Sequence, residues 1–355
     1  MSSHSRSRIL IVLPTGGVYG GMEAFSIEIA RQLSEDARFE VRLVMRLRRG
    51  WIADPTFVDF LKTLPFETVF LGSISVEMLK HIAWADLINC HFPILDVMYP
   101  ASLLRKQIVL SVENRRLPQH HFFLRAAHQM AKYRWYISDF VARTWGEDTE
   151  VSSEFLRVVP AVCELELKPQ HAAERKGFLF IGRWVDNKGI LELIDAYYAA
   201  QISHEENPLT LVGDGPLAPE IRLKIQSSRL GRFITTPGFI NQDAKTHLLS
   251  TCKWNVAPAQ FEEDLGLTPI EARGVATPSI VTNIGGLPEA AGKAAILCDP
   301  FSIESLTHAI EQAASMSADS YAERCKTAFD SLSNYLPSAD FYRKEFTAIL
   351  GIRTC

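Results

Sequence analysis

Two glutamates stand close together in the stretch FEEDLGLTPIEARG, with seven residues between Glu263 and Glu271. We interpret Leu267–Gly274 as the first turns of a helix. The first amides of a helix have no partner within it and lie at the positive end of its dipole, so this segment suits a diphosphate. Glu263 lies before the helix. Because it belongs to an acidic run with Glu262 and Asp264, the alternative that it is merely solvated stays open.

A pair of cations follows an apolar run in the stretch FIGRWVDNKGILELIDA. Arg183 and Lys188 stand in the loop after the predicted strand. Two fixed cations there would stabilise the negative charge that builds on a departing diphosphate, and so substitute for a metal ion. An arginine and a lysine in one loop are otherwise solvated surface charges. The position after a buried strand, together with the glutamates, favours the functional interpretation.

Glycines follow other predicted strands, in TGGVYGG and in LVGDGP. Gly20 and Gly21 would let the backbone approach a phosphate or a sugar closely, and Gly213 and Gly215 lie in a predicted turn. A purely structural turn is the alternative at both places, because many strand-to-helix connections need glycine.

The elements that must position these residues alternate along the chain. Apolar runs such as RILIVLP and GFLFIGR predict buried parallel strands, and stretches such as MEAFSIEIARQLSED have helical spacing between them. This alternation predicts an α/β fold of two doubly wound, Rossmann-like domains. We place the boundaries in polar segments, so that residues 1–168 and 169–335 form the two domains and 336–355 form a terminal helix.

Composition excludes several classes of protein. The chain has 355 residues with 37 basic and 41 acidic side chains, a net charge of −4, which makes nucleic acid a poor partner. The six cysteines lack the close spacing of metal or redox motifs, and we expect reduced thiols in a cytoplasm. The first apolar run, Ile9 to Pro14, is too short for a signal peptide or a membrane span.

The stretch from Phe261 to Ala290 resembles the retaining nucleotide-sugar glycosyltransferases of family 4, which have the GT-B fold of two facing Rossmann-like domains. Glu263 and Glu271 match the family's two spaced glutamates, and GVATPSIVTNIGGLPE continues its pattern. Arg183 and Lys188 match the loop that grips the nucleotide diphosphate. The resemblance spans nearly the whole chain, strongly from Gly177 to Ala290.

The resemblance implies a role for each matching residue. Arg183, Lys188 and the amides near Leu267 and Thr268 would hold the diphosphate, Glu271 the ribose and Glu263 the transferred sugar. Near the base would lie the glycines of the LVGDGP turn, Gly213 and Gly215. In the first domain, Gly20, Gly21 and Glu23 are in register with the family's G-G-x-E loop.

The first domain also departs from the family pattern. In DLINCHF, Asp86 and His91 match the family's D-x-x-H-x-H strand end, but Asn89 replaces the first histidine. Glu113 stands where the family often has a histidine near the reacting sugar carbon. We treat His91 and Glu113 as candidate catalytic residues; a structural hydrogen-bonding role for His91 is the alternative.

The expected activity is transfer of a hexose-type sugar from a UDP or GDP sugar to a hydroxyl of a saccharide or lipid-linked acceptor. The resemblance favours bacterial polysaccharide, lipopolysaccharide or glycolipid synthesis, with retention and without a metal cofactor. A catalytically silent nucleotide-sugar-binding subunit is one alternative, and an NAD-dependent dehydrogenase is a more distant one, since the loop GGVYGG lacks a clean G-x-G-x-x-G.

Basic residues of the first half suggest a peripheral contact with the cytoplasmic face of the membrane. Beside Trp51 and Phe57 they would hold the protein near anionic lipid, and scattered solvated charges are the alternative. These basic residues are Arg42, Arg46, Arg48, Arg49, Arg105, Lys106, Arg115 and Arg116.

Overall fold

The computed structural model describes residues 6–47, 50–73, 75–117, 122–147, 156–159, 175–333, 335–336, 338 and 340–352. The chain divides into two compact units. The first consists of Met1–Val162 with Pro337–Cys355, and the second of Cys163–Leu336. The domain boundary placed after Lys168 falls outside the described residues.

The first unit is built on a parallel sheet. Within the described residues its strands are β1 (Ser7–Thr15), β2 (Phe39–Leu47), β3 (Glu67–Leu71), β4 (Leu87–His91), β5 (Gln107–Val112), β6 (Tyr133–Tyr136) and β7 (Leu156–Val158). The strand order is β3-β2-β1-β4-β5-β6-β7, with every neighbouring pair parallel. Leu10, Ile11 and Val12 are fully buried, so both faces of β1 are covered, as expected of an inner strand.

Helices connect these strands: α1 (Gly21–Ser34), α2 (Pro55–Leu61), α3 (Val76–Trp84), α4 (Leu95–Leu103), α5 (Phe122–Met130) and α6 (Asp139–Thr144). Short polar side chains begin three of them. Asp54, Ser75 and Ser138 each accept a hydrogen bond from an amide of the first turn, which satisfies a donor that has no partner within the helix.

The second unit repeats this architecture. Its strands are β8 (Lys176–Ile181), β9 (Leu209–Val212), β10 (Ile234–Gly238), β11 (Cys252–Ala257), β12 (Ser279–Thr282) and β13 (Ile296–Cys298), in the order β10-β9-β8-β11-β12-β13. In such doubly wound sheets, ligands bind beyond the carboxyl ends of the strands, near the point where the strand order reverses. The reversal here lies between β8 and β11.

Seven helices of the second unit surround its sheet within the described residues. They are α7 (Ile190–Ala199), α8 (Ala218–Gln226), α9 (Gln242–Thr251), α10 (Leu267–Gly274), α11 (Leu287–Ala291), α12 (Ile303–Ala314) and α13 (Ala318–Ser333).

The last helix, α14 (Phe341–Ile349), packs on the first unit, as the sequence predicts. Tyr342 and Phe346 are buried, and the centres of their rings lie 5.8 and 5.5 Å from the centre of the Trp135 ring on β6. Tyr342 also meets the edge of Phe25 on α1. Aromatic burial thus fixes α14 against β6 and α1. Among the described helices, none has the length and apolar character that crossing a bilayer requires.

Candidate active site

The beginning of α10 presents free amides in the second unit. Leu267 and Thr268 are its first two residues, and neither amide has an acceptor among the described residues. Pro269 follows and has no N–H. Two donors and the positive end of the helix dipole therefore face outward at the position predicted to bind a diphosphate.

A buried arginine anchors the other end of α10. The Arg273 guanidinium donates hydrogen bonds to the carbonyl oxygens of Ala290 and Ala328 and to Ser331 Oγ. Burial lowers its pKa below the ordinary value for arginine. These three contacts tie α10 to α11 and α13, so the amino end of the helix is presented on a rigid support.

Two glycines fix the backbone of Glu263. The amide of Gly286 donates to the Glu263 carbonyl oxygen at 2.7 Å. Gly285 has a φ of +62°, and a Cβ there would lie 2.5 Å from that same oxygen. No larger side chain fits this approach. Both glycines stand in the family pattern around NIGG, but no role was predicted for them.

Lys188 and Glu263 meet in the site. Lys188 Nζ donates to Glu263 Oε1, and the two side chains are 28% and 24% exposed. The residue predicted to bind the diphosphate and the residue predicted to bind the sugar thus contact each other. The loops that hold them are also joined, since the Gln260 amide donates to the Asn187 carbonyl oxygen at 3.0 Å.

Arg183 lies at the beginning of the same loop, two residues after β8 ends at Ile181. Its guanidinium is exposed, and within the described part of the chain it forms no ion pair. The neighbouring Trp184 is buried, and its amide donates to the Asp214 carbonyl oxygen at 2.9 Å. The backbone beside Arg183 is therefore fixed while its side chain remains available to a ligand.

Gly213 and Gly215 form the turn against which Trp184 packs. A Cβ at Gly213 would lie 1.9 Å from the Gly182 carbonyl oxygen, and one at Gly215 would lie 2.4 Å from that of Trp184. Close packing of two loops accounts for both glycines. Their predicted contact with the nucleotide base remains a prediction.

Glu271 pairs with a residue that sequence analysis did not consider. Lys245 Nζ on α9 donates to Glu271 Oε1 at 2.6 Å. The partners stand 26 positions apart, and only the packing of α9 against α10 brings them together.

The glycine loop of the first unit precedes α1. Gly20 is the residue before the helix and Gly21 is its first residue. Glu23 is buried, and Thr15 Oγ1 at the end of β1 donates to Glu23 Oε1 at 2.6 Å. The carboxylate thus joins the strand end to the first turn of the helix, where the dipole favours negative charge.

His91 and Glu113 form a buried pair at the ends of β4 and β5. His91 Nδ1 lies 2.7 Å from Glu113 Oε1, and the side chains are 0% and 8% exposed. His91 Nε2 and Glu113 Oε2 have no hydrogen-bond partner in the described structure. Because the imidazole is fully covered, His91 touches no solvent in this conformation. The catalytic roles predicted for both residues remain predictions.

A hydrogen-bonded network lies beside this pair. The Trp145 indole donates to the Asn114 carbonyl oxygen at 3.0 Å and stacks on the imidazole of His128. His128 Nε2 lies 2.5 Å from the Tyr136 hydroxyl, which donates to Glu147 Oε1. Burial, assisted by nearby arginines, lowers the pKa of His128 from 6.5 to about 4. The network holds the segment directly after Glu113.

Three further sequence candidates in the first unit, Asp86, Arg42 and Arg46, have structural partners. Asp86 lies before β4, at the opposite edge of the sheet from His91, and receives hydrogen bonds from Arg8. Arg42 pairs with Glu67, and Arg46 pairs with Asp96.

The predicted membrane surface needs correction at Phe57. This side chain is buried under Tyr19 and Phe70 because its position in the first turn of α2 faces the sheet. It therefore does not enter a lipid surface. Trp51 is exposed as expected, and Arg48 and Arg49 lie outside the described residues.

Metal-ligating side chains do not cluster in the described ranges: no group of three or more His, Cys, Asp or Glu residues is placed to hold an ion. Four cysteines are free and buried, namely Cys90, Cys252, Cys298 and Cys325. Burial raises the pKa of Cys252 and of Cys298 to about 12. Cys163 and Cys355 lie outside the described structure.

Comparison with known proteins identifies the second unit. Residues 164–329 match the family model described as Glycosyl transferases group 1. This segment is therefore similar to the Glycosyl transferases group 1 family, and we call it the group 1 domain. The group 1 domain contains every site residue that was predicted in the second half of the chain.

Curated relatives carry glycosyltransferase names. O-antigen chain mannosyltransferase C of Escherichia coli is 26% identical over 220 residues, which make up 56% of this chain and 57% of that protein. A glycogen synthase of Mycobacterium tuberculosis is 28% identical over 134 residues, or 37% of this chain and 32% of that one. The chain thus covers less than two thirds of the length of these relatives.

Solved structures resemble the chain over almost its whole length. Anabaena Alr3699/HepE in complex with UDP superposes with a TM-score of 0.79 at 16% identity, covering 97% of this chain and 100% of that one. WaaG, a glycosyltransferase involved in lipopolysaccharide biosynthesis, gives a TM-score of 0.64 at 15% identity, with coverage of 97% and 100%. The two parallel sheets match such structures, and the predicted GT-B fold class is confirmed.

Proposed function

We propose that this protein is a retaining glycosyltransferase. It moves a hexose-type sugar from a UDP or GDP sugar to a hydroxyl of a saccharide or lipid-linked acceptor. The observation that carries the proposal is the contact between Lys188 and Glu263, a few residues before the free amides of Leu267 and Thr268. The resemblance to O-antigen mannosyltransferases and to a structure that holds UDP supports this class of donor and a role in bacterial surface polysaccharide synthesis.

The second unit would bind the donor. Arg183, Lys188 and the α10 amides hold the diphosphate, so negative charge that develops as the sugar leaves meets fixed positive groups. Glu271 accepts hydrogen bonds from the ribose hydroxyls, and Glu263 does so from the sugar. Catalysis then comes from positioning and charge stabilisation, with the departing phosphate oxygen as the base towards the acceptor.

Charge stabilisation by side chains and amides makes a metal ion unnecessary in this scheme. We therefore expect transfer to continue in the presence of a chelator. Loss of activity with EDTA, restored by Mg²⁺ or Mn²⁺, would contradict this part of the proposal.

A donor panel tests the proposal directly. Thermal unfolding of the protein is measured in the presence of UDP-, GDP-, ADP- and dTDP-sugars. A ligand at a concentration well above its Kd stabilises the folded state by about 3 kcal/mol. We expect a UDP or GDP sugar to raise the Tm. NMR of the product, or of slowly hydrolysed donor, then reports the anomeric configuration. No shift with any donor would contradict nucleotide-sugar binding, and inverted product would contradict retention.

A catalytically silent subunit is the second candidate, favoured by the carboxylate of Glu113 where the family often has histidine. Such a subunit would show a Tm shift with a donor but neither transfer nor donor hydrolysis. Nothing in the group 1 domain favours the dehydrogenase alternative.

We also propose that the first unit makes a peripheral contact with the membrane. Trp51 and Ile52 are 53% and 89% exposed in the segment before α2, and such apolar side chains enter the interface of a bilayer. Flotation with vesicles of phosphatidylglycerol tests this. We expect binding that Ile52→Glu abolishes, with Leu223→Glu as the control at an exposed position of the second unit. Equal flotation of both variants and the unmodified protein would contradict it.

A further inference from the structure

Lys245 lies in the first turns of α9 and reaches the side of α10. The helix start is fixed, because the Asn241 side chain accepts a hydrogen bond from the Ala244 amide. From there Lys245 Nζ donates to Glu271 Oε1 at 2.6 Å, and the two side chains are 22% and 14% exposed. The pair is thus largely removed from water on both sides.

Only one oxygen of Glu271 is occupied by this contact. Oε2 has no hydrogen-bond partner among the described residues, and it is not among their buried unpartnered atoms, so solvent reaches it. Glu271 also stands four residues after Leu267, which places both residues on the same face of α10. The open oxygen therefore lies on the face that begins with the free amides.

A comparable lysine pair elsewhere in the unit shows what is distinctive here. Lys224 on α8 contacts Asp195 on α7 at the same distance of 2.6 Å, but Asp195 is 41% exposed. Neither of those residues belongs to the predicted site. A solvated pair of that kind contributes little. Lys245, in contrast, contacts Glu271, whose carboxylate is predicted to bind the ribose. The orientation of that carboxylate therefore matters for ligand binding.

We infer that Lys245 is a positioning residue for nucleotide recognition. It binds Oε1 of Glu271 and so orients Oε2 to accept hydrogen bonds from the 2′ and 3′ hydroxyls of a nucleotide ribose. This inference rests on the proposed function, because it takes the ligand of Glu271 to be a nucleoside diphosphate. Lys245 itself does not touch the ligand.

Calorimetry with UDP, GDP and their 2′,3′-dideoxy analogues tests the inference. Of UDP and GDP, we consider the one that the unmodified protein binds more tightly. We expect it to bind at least about tenfold more tightly than its dideoxy analogue, because the analogue lacks the hydroxyls that donate to the charged Glu271 carboxylate. Lys245→Met should weaken the ribonucleotide about tenfold and leave the dideoxy analogue unchanged. Lys245→Arg, which keeps the charge, should restore part of the difference.

Two controls separate this role from a general effect on the fold. Lys224→Met should alter neither affinity, and far-UV circular dichroism with thermal unfolding shows that each variant is folded. Lys245→Met combined with Glu271→Gln should bind no more weakly than Glu271→Gln alone, because the lysine acts through that carboxylate.

The other outcomes overturn the inference. Equal weakening of ribo and dideoxy nucleotides would place Lys245 on the diphosphate, and unchanged affinities would make its pair with Glu271 purely structural. If the unmodified protein binds neither UDP nor GDP, the proposed function fails and the inference fails with it. If it binds both forms of the nucleotide equally, only the inference fails.

Discussion

Lys188 Nζ is bonded to Glu263 Oε1 in the second unit, although the two residues are 75 positions apart. The proposed roles give them different ligands, the diphosphate for the lysine and the sugar for the glutamate. Donor binding would therefore exchange one contact for two. Free nucleoside diphosphate, which has no sugar for Glu263, must compete with the carboxylate for Lys188.

Glu263→Gln should therefore tighten the binding of UDP or GDP while it weakens sugar transfer. A partly exposed lysine–carboxylate pair is worth about 1 kcal/mol, so we expect affinity for the diphosphate to rise about fivefold. Transfer should fall about a hundredfold, because the sugar loses its carboxylate contact. Calorimetry and initial rates measure the two effects. The matched control is Asp195→Asn at the Lys224 pair, and weaker binding of diphosphate to Glu263→Gln would contradict the competition.

Lys188→Ala should lower kcat/KM, with a loss of about 2 to 4 kcal/mol of transition-state stabilisation. The reason is that a fixed cation no longer faces the negative charge that develops on the leaving group. Lys188→Arg retains the charge and should recover part of the rate. Steady-state kinetics with the preferred donor measures both, with Lys224→Ala as the control. Near-normal turnover of Lys188→Ala would remove this residue from the site.

Gly285→Ala should destabilise the fold and displace Glu263. Two effects add there, a positive φ and a Cβ that would lie 2.5 Å from the Glu263 carbonyl oxygen. Gly146→Ala isolates the first effect, because its φ is +84° and nothing lies within 4 Å of the added atom. We expect a loss of about 1 kcal/mol for Gly146→Ala and about 2 to 4 kcal/mol for Gly285→Ala, measured by urea unfolding. Donor binding should weaken only in the latter, and equal effects of both substitutions would contradict the steric argument.

His128 should make the stability of the protein depend on pH. Its pKa is about 4 in the folded protein and 6.5 in an ordinary environment, so in this interval the unfolded chain binds a proton that the folded chain does not. The contribution of neutral His128 to the free energy of unfolding is complete above pH 6.5 and is lost as the pH falls towards 4. The loss is on the order of 3 kcal/mol.

Urea unfolding at pH 7.5 and pH 4.5 measures this loss. The free energy of unfolding of His128→Gln should decline less between pH 7.5 and pH 4.5 than that of the unmodified protein, although the variant is less stable at pH 7.5. His308→Gln, at an exposed histidine, should decline as much as the unmodified protein. An equal decline in His128→Gln would show that other groups are responsible.

Strong local patterns made most of the fold predictable from the sequence. The run from Ile9 to Pro14 is continuously apolar, and it lies within the inner strand β1. The helical turns expected at Leu267–Gly274 form α10, which has those bounds. Strands β7 and β13 were missed, because three residues are too few to show a periodic pattern.

The candidate site was less predictable, because contacts between distant residues depend on packing. Lys188 and Glu263 were each predicted to belong to the site, but no local pattern predicts the contact between them. Lys245 stands in a polar helix with no motif around it, so no local signal distinguishes it from a solvated lysine. Phe57 was expected at a lipid surface together with the basic residues of the first half, whereas the turn of α2 directs it inward.

The first unit is assembled from both ends of the chain, with the second unit inserted between them. A ribosome therefore completes the second unit before it makes α14, and the first unit waits with its Trp135 surface uncovered until that helix emerges. At translation rates of about 5 to 20 residues per second this interval lasts on the order of ten seconds or more. During that time the surface around Trp135 that α14 later covers stays exposed on the nascent first unit, whereas the second unit can already fold as one uninterrupted segment.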